Sequence, residues 1–161
     1  MFRKLVFSMV GAALAMSIGA AGAYFTAQIQ VPDSVIRAGT VAISTEPTSA
    51  PLSIDSLSPG GTSVRSLSVV NDGTLPVDVI VTAVKKAGIT DFYDALTCRV
   101  SSAGTPLYEG PLSALKTAPL QLGAGNRGEF RFEVGLPDTA GNDLSGDYAR
   151  VSLYVDAEQS H

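Results

Sequence analysis

Beyond residue 23 the apolar side chains of this 161-residue chain recur almost everywhere with a period of two. Phe25, Ala27, Ile29 and Val31 alternate with Tyr24, Thr26, Gln28 and Gln30. Phe130, Phe132, Val134 and Leu136 alternate with Glu129, Arg131 and Glu133, and Ala149, Val151, Leu153, Val155 and Ala157 with Arg150, Ser152, Tyr154, Asp156 and Glu158. Successive side chains of a strand point to opposite faces, so this pattern buries one face of a sheet and wets the other. All nine prolines stand at position 32 or later, punctuating short runs, as expected where each run is a strand that a turn must end. The expected fold is all-β: a jelly-roll-like antiparallel β-sandwich, preceded by an N-terminal signal-peptide helix.

The alternation also locates the strands. Residues 24–31 form the first, ended by Pro32-Asp33, with further strands at 40–44, 52–57 and 64–70. Ser58-Pro59-Gly60-Gly61 closes the third, with proline setting one turn dihedral and glycine taking the positive φ. Asn71-Asp72-Gly73 reads as a hairpin turn, because these residues tolerate left-handed geometry, and predicts that 64–70 pairs antiparallel with 75–84. Residues 95–101 and 107–108 are expected as strands, 111–116 as a helical turn, 45–51 as the most mobile loop, and 158–161 as a frayed tail.

The first twenty-three residues have a different character. Arg3 and Lys4 precede an apolar run over 5–18, and the small residues Ala21-Gly22-Ala23 stand immediately before the first strand. A basic start, an apolar stretch and an Ala-x-Ala exit describe an export signal cut after Ala23, which leaves Tyr24 first. The competing reading is an uncleaved anchor, since 5–23 is nearly long enough to span a bilayer; Gly11, Gly19 and Gly22 weaken such a helix. The expected organisation is a signal peptide at 1–23, an N-terminal strand at 24–33 and a sandwich domain at 34–161. The membrane is met only through the uncut signal.

Composition narrows the chemistry. Fifteen acidic residues against eleven basic ones disfavour nucleic acid as a partner, and losing Arg3 and Lys4 makes the chain more acidic still. A single cysteine, Cys98, excludes an intramolecular disulfide, and its strand spacing from Leu96 and Val100 predicts a buried small apolar side chain. The one histidine is His161, the last residue, so a histidine-based triad and a His/Cys zinc site are not expected. Gly123-Ala124-Gly125-Asn126-Arg127-Gly128 carries the letters of a dinucleotide fingerprint but opens a strand, where the fingerprint must open a helix, and so predicts a turn. Asp138, Asn142, Asp143 and Asp147 offer oxygen ligands in one loop but read as turn residues. Asp91 and Asp94 read as a polar loop around Phe92-Tyr93. No catalytic residue, metal or cofactor is expected.

Gly22-Ala23-Tyr24-Phe25-Thr26 across the cleavage site, Ala38-Gly39-Thr40, Leu57-Ser58-Pro59-Gly60, Asn71-Asp72-Gly73-Thr74-Leu75, Ala140-Gly141-Asn142 and Ala157-Glu158-Gln159 occur in an order that resembles the TasA/camelysin family of exported proteins from Gram-positive bacteria, with relatives in archaeal pili. The chain departs from the family at Ala27, where many relatives carry an acidic or polar residue. It also lacks the large insertions of the best-known biofilm fibre protein. The resemblance implies a fibre or biofilm-matrix subunit that assembles by donor-strand exchange with copies of itself or a related fibre subunit, after a signal peptidase has acted at Ala21, Ala23 and Tyr24.

The residues give an independent reason for that expectation. A freed strand with one apolar face can add to the sheet of a neighbour and fill a groove with Phe25, Ile29 and Val31. Folding back into its own sheet stays open as the alternative. The resemblance also implies a camelysin-like cell-surface metallopeptidase as a second reading, for which no His-Glu-x-x-His motif is present. An accessory protein that anchors or coats another subunit's fibre is the third.

Overall fold

The computed structural model describes residues 26–31, 41–47, 52–55 and 57–160. Its described strands are β1 (Thr26–Val31), β2 (Ile43–Glu46), β3 (Leu52–Asp55), β4 (Thr62–Asn71), β5 (Val77–Gly88), β6 (Thr97–Ser102), β7 (Thr105–Pro111), β8 (Leu120–Leu122), β9 (Arg127–Gly135) and β10 (Tyr148–Gln159), with one short helix, α1 (Thr90–Ala95), between β5 and β6. They form two five-stranded sheets. One runs β1-β10-β5-β8 with β3 also paired to β10, and the other runs β2-β4-β9-β6-β7. Every pairing between strands is antiparallel.

The strand order is that of a jelly roll. Strands β3-β10-β5-β8 face β4-β9-β6-β7, so the chain passes from sheet to sheet as it winds and covers both apolar faces with eight strands. Strands β1 and β2 are additions to this core, one on β10 and one on β4. The predicted alternation decides what lies inside. Phe130, Phe132 and Val134 of β9 are buried against Val77, Val79 and Val81 of β5 and the odd-numbered residues 149–157 of β10. Each such large side chain removed from water contributes about 1.5–3 kcal/mol before ordering costs. Cys98 is 2% exposed, between buried Leu96 and Val100, as its spacing predicted.

The expected hairpin between 64–70 and 75–84 does not form. β4 lies in the second sheet and β5 in the first, so the turn at 71–76 is a bridge between sheets. Asn71 builds that bridge from the inside. Fully buried, it donates through Nδ2 to the carbonyls of Leu75 at 2.7 Å and Leu122 at 3.1 Å, and its Oδ1 accepts from the Gly73 amide at 3.0 Å. An Asn-Asp-Gly turn signal fixes local dihedrals but not the partner of the strand that follows, and here burial of both apolar faces decided the pairing.

Other differences are smaller. Residues 90–95 form α1, not a loop, because buried Phe92 and Tyr93 anchor a helix that has no side-chain cap. Thr45 and Glu46, expected in a mobile loop, belong to β2; Thr45 is buried and Glu46 pairs with Arg127 at 2.8 Å. The C-terminal segment is not frayed through Ser160. β10 runs to Gln159, and the Ser160 amide donates to the Pro76 carbonyl. Strand β8 had no sequence signal, being only three residues long. The helical turn expected at 111–116 is a 3₁₀ turn at Leu112–Ala114.

Candidate assembly edge

β10 is twelve residues long, and its two edges are used differently. One edge pairs with β5 along its whole length, with a register shift at Arg150/Val151. The other is shared by two short segments: β3 covers Tyr148 to Val151, and β1 covers Leu153 to Glu158. Ser152 falls at the junction and is 5% exposed. The half of β10 covered by β1 is thus completed by a strand outside the eight-stranded jelly roll.

The register puts like with like. Ala27, Ile29 and Val31 of β1 stand opposite Ala157, Val155 and Leu153, all three of which are buried. Thr26, Gln28 and Gln30 stand opposite Glu158, Asp156 and Tyr154. Across the sandwich β1 lies against β2, whose segment carries buried Val41, Ile43 and Thr45. The buried neighbours of β1 are therefore mostly apolar and come from both sheets. A six-residue antiparallel ladder supplies about one backbone hydrogen bond per residue, each worth a net of roughly 0.5–1.5 kcal/mol. In this structure β1 completes its own chain's sheet.

Of the predicted assembly residues, Ile29 and Val31 lie in β1 at these register positions. Phe25 and the cleavage residues Ala21, Ala23 and Tyr24 fall outside the described residues, as does His161. Sequence reasoning left the acceptor surface unassigned. Its signal was the length of the last alternating run, which exceeds what any one short neighbour can cover.

The polar groups weighed as chemistry are dispersed. Asp91 and Asp94 sit on α1 beside buried Phe92 and Tyr93, and burial, followed by the Asp94 charge, raises the Tyr93 phenol above its usual value. Asn142 and Asp143 begin a 3₁₀ turn, Asn142–Leu144, in the loop that also holds Asp138 and Asp147. Among the described residues no group of three or more His, Cys, Asp or Glu side chains is placed to hold a metal ion. Residues 123–126 form a turn closed by the Asn126 amide on the Gly123 carbonyl, with Gly125 at φ +72°. Among the described residues no helix is long and apolar enough to cross a membrane.

Residues 1–94 match the family model described as camelysin metallo-endopeptidase. No curated protein matches the chain. Among solved structures the chain is similar to the crystal structure of FlhE, at 15% identity over 86% of this chain and 98% of that one, with a TM-score of 0.32. A likeness at that score supports no conclusion about fold or function.

Proposed function

The chain belongs to the camelysin metallo-endopeptidase family, and from that premise we propose that it is an exported structural subunit of an extracellular fibre or biofilm matrix, assembling by donor-strand exchange of residues 24–31. The observation that carries this reading is the place of β1: first of the described strands, outside the jelly roll, and laid on one half of the β10 edge. A strand so placed is exchangeable at low cost, because the β1 of a second copy can take the same register on the same residues. The nine residues 32–40 between β1 and Val41 can span at most about 30 Å, enough chain for β1 to serve a neighbouring subunit. Donor and acceptor are different parts of the subunit, so the contact is head-to-tail and extends without closing.

On this reading Phe25, Ile29 and Val31 are the donor residues, and Leu153, Val155 and Ala157 with β2 form the acceptor. The signal peptide at 1–23, cut after Ala23, holds the strand at the membrane until export. Copies of the same chain or a related fibre subunit are the partners.

The test compares the mature chain from Tyr24 with its Ile29→Asp variant by negative-stain electron microscopy and sedimentation. Filaments from the parent and folded monomers from the variant are expected. Monomers from both, across pH and salt, would overturn the reading and leave β1 as a permanent part of its own sheet. The family's description motivates a second reading, a surface metallo-endopeptidase. Chelator-sensitive hydrolysis of casein, lost on substituting Asp143 and Asp147, would establish it. An accessory role is distinguished by stoichiometry, since a coat or anchor is a minor component of isolated fibres.

A further inference from the structure

The outer face of the second sheet holds a cavity of about 290 Å³ at the end where β9 finishes. An outward sheet face is normally filled by its own side chains, so the notch needs a cause. Two glycines line it, Gly110 of β7 and Gly135 of β9, and Gly135 stands in register between Thr62 of β4 and Thr97 of β6. The backbone does not demand glycine there. Gly135 is not among the positive-φ residues, and a Cβ built on it meets Thr62 Cγ2 at 3.4 Å, Thr97 Oγ1 at 3.5 Å and the Gly61 carbonyl at 3.6 Å, which is ordinary contact. A paired strand position that gives up its side chain without a conformational reason leaves room for the close approach of another molecule.

The next row supplies polar groups of alternating kind. Arg99 of β6 is in register with Glu109 of β7 on one side and Glu133 of β9 on the other. Its Nη2 donates to Glu109 Oε1 at 2.8 Å, and both side chains are more than half exposed. The bond to Arg99 also holds the Glu109 carboxyl below its usual range, keeping it an ionised acceptor. The Glu133 carboxylate accepts no hydrogen bond among the described residues. The Thr97 hydroxyl donates to the Gly135 carbonyl at 3.2 Å, which leaves its lone pairs free to accept.

The geometry points to a saccharide-binding subsite at Gly135, in which Arg99, Glu133 and Thr97 hydrogen-bond a vicinal diol of one sugar ring. Each hydroxyl of a diol is both donor and acceptor, which matches a wall of guanidinium N–H, carboxylate and threonine oxygen. A simple cation entering the notch meets the charge of Arg99, and a simple anion meets two carboxylates. The volume lies just below the range of about 300–1,000 Å³ typical of sites for drug-sized ligands, and suits a single ring. The subsite lies on the sheet opposite the β10 edge, so it is independent of the assembly reading.

The experiment is saturation-transfer-difference NMR with methyl glycosides of glucose, galactose, N-acetylglucosamine and glucosamine, which reads the sugar signals whether the protein is monomeric or filamentous. Transfer to ring protons of at least one glycoside is expected, with affinity weakened about tenfold or more by Gly135→Val, which fills the notch, and by Arg99→Ala. Circular dichroism and melting of both variants should match the parent. Absence of transfer from every glycoside overturns the proposal. So does transfer undiminished in both folded variants, or binding of methylguanidinium in place of any sugar.

Discussion

Asn71 is the residue on which the passage between the two sheets depends. Its side chain makes three hydrogen bonds from a position with no exposure; Asn71→Leu removes the side-chain donor to the Leu75 and Leu122 carbonyls, while the Gly73 amide keeps its second bond, to the Ala42 carbonyl at 3.1 Å. Each buried carbonyl left unmet costs about 1–3 kcal/mol, and a loss of roughly 2–4 kcal/mol in urea denaturation is expected because water can reach the Leu75 side of the turn. A loss below about 1 kcal/mol would show that the turn closes without Asn71.

Cys98 gives a second test at this scale. Burial pushes its thiol up to about 12 from an ordinary value of 9.0. The folded state therefore holds the proton more tightly than the unfolded chain does. The stabilising contribution is complete below pH 9 and is lost as the pH rises from there toward about 12, with a slope of up to about 1.4 kcal/mol per pH unit. Cys98→Ala should remove that slope from denaturation curves measured across this window. In the native parent at neutral pH, the thiol should react with Ellman's reagent only at the rate of global unfolding.

At the scale of the element, β1 combines a ladder of six residues with a position that the jelly roll does not need for closure. Deleting residues 24–31 should leave a folded domain of lower stability with Leu153 to Glu158 unpaired along one edge. A synthetic peptide of that sequence should rebind and raise the melting temperature, and a peptide carrying Ile29→Asp should not. Failure of the parent peptide to bind a folded, truncated domain would mean that β1 is held by chain connectivity more than by its ladder.

The elements also show what sequence alone could reach. Long alternating runs such as 130–136 and 149–157 declared both their strands and their buried faces, because the period of two follows from backbone geometry. The partner of each strand was not legible in the same way. Asn71-Asp72-Gly73 specifies a turn, while the choice between a hairpin and a crossing depends on the apolar faces of strands far away in sequence. α1 and β8 escaped because six and three residues hold too few periods to be read. The acceptor half of β10 was hidden for a similar reason: an edge is a property of the assembled sheet. The notch at Gly135 was hidden too, since a glycine at a strand end ordinarily reads as punctuation.

For the whole molecule, the central fact is that β1 occupies in cis the edge that donor-strand exchange would use in trans. Closed subunits must release that strand before they can join, whereas a subunit lacking residues 24–31 presents its edge at once. On the proposed reading the truncated subunit accepts a donor and has none to give, so it terminates growth at one end of a filament. Small amounts mixed with the parent should therefore shorten filaments in proportion to their fraction, as measured by electron microscopy, without lowering the total protein assembled until the fraction becomes large. The same truncated subunit carrying Val155→Asp, with a charge placed among the buried apolar neighbours of the donor, should lose the capping effect if it remains folded. Filament lengths unaffected by the truncated subunit, in a parent that does polymerise, would mean that the filaments grow through a surface other than the β10 edge.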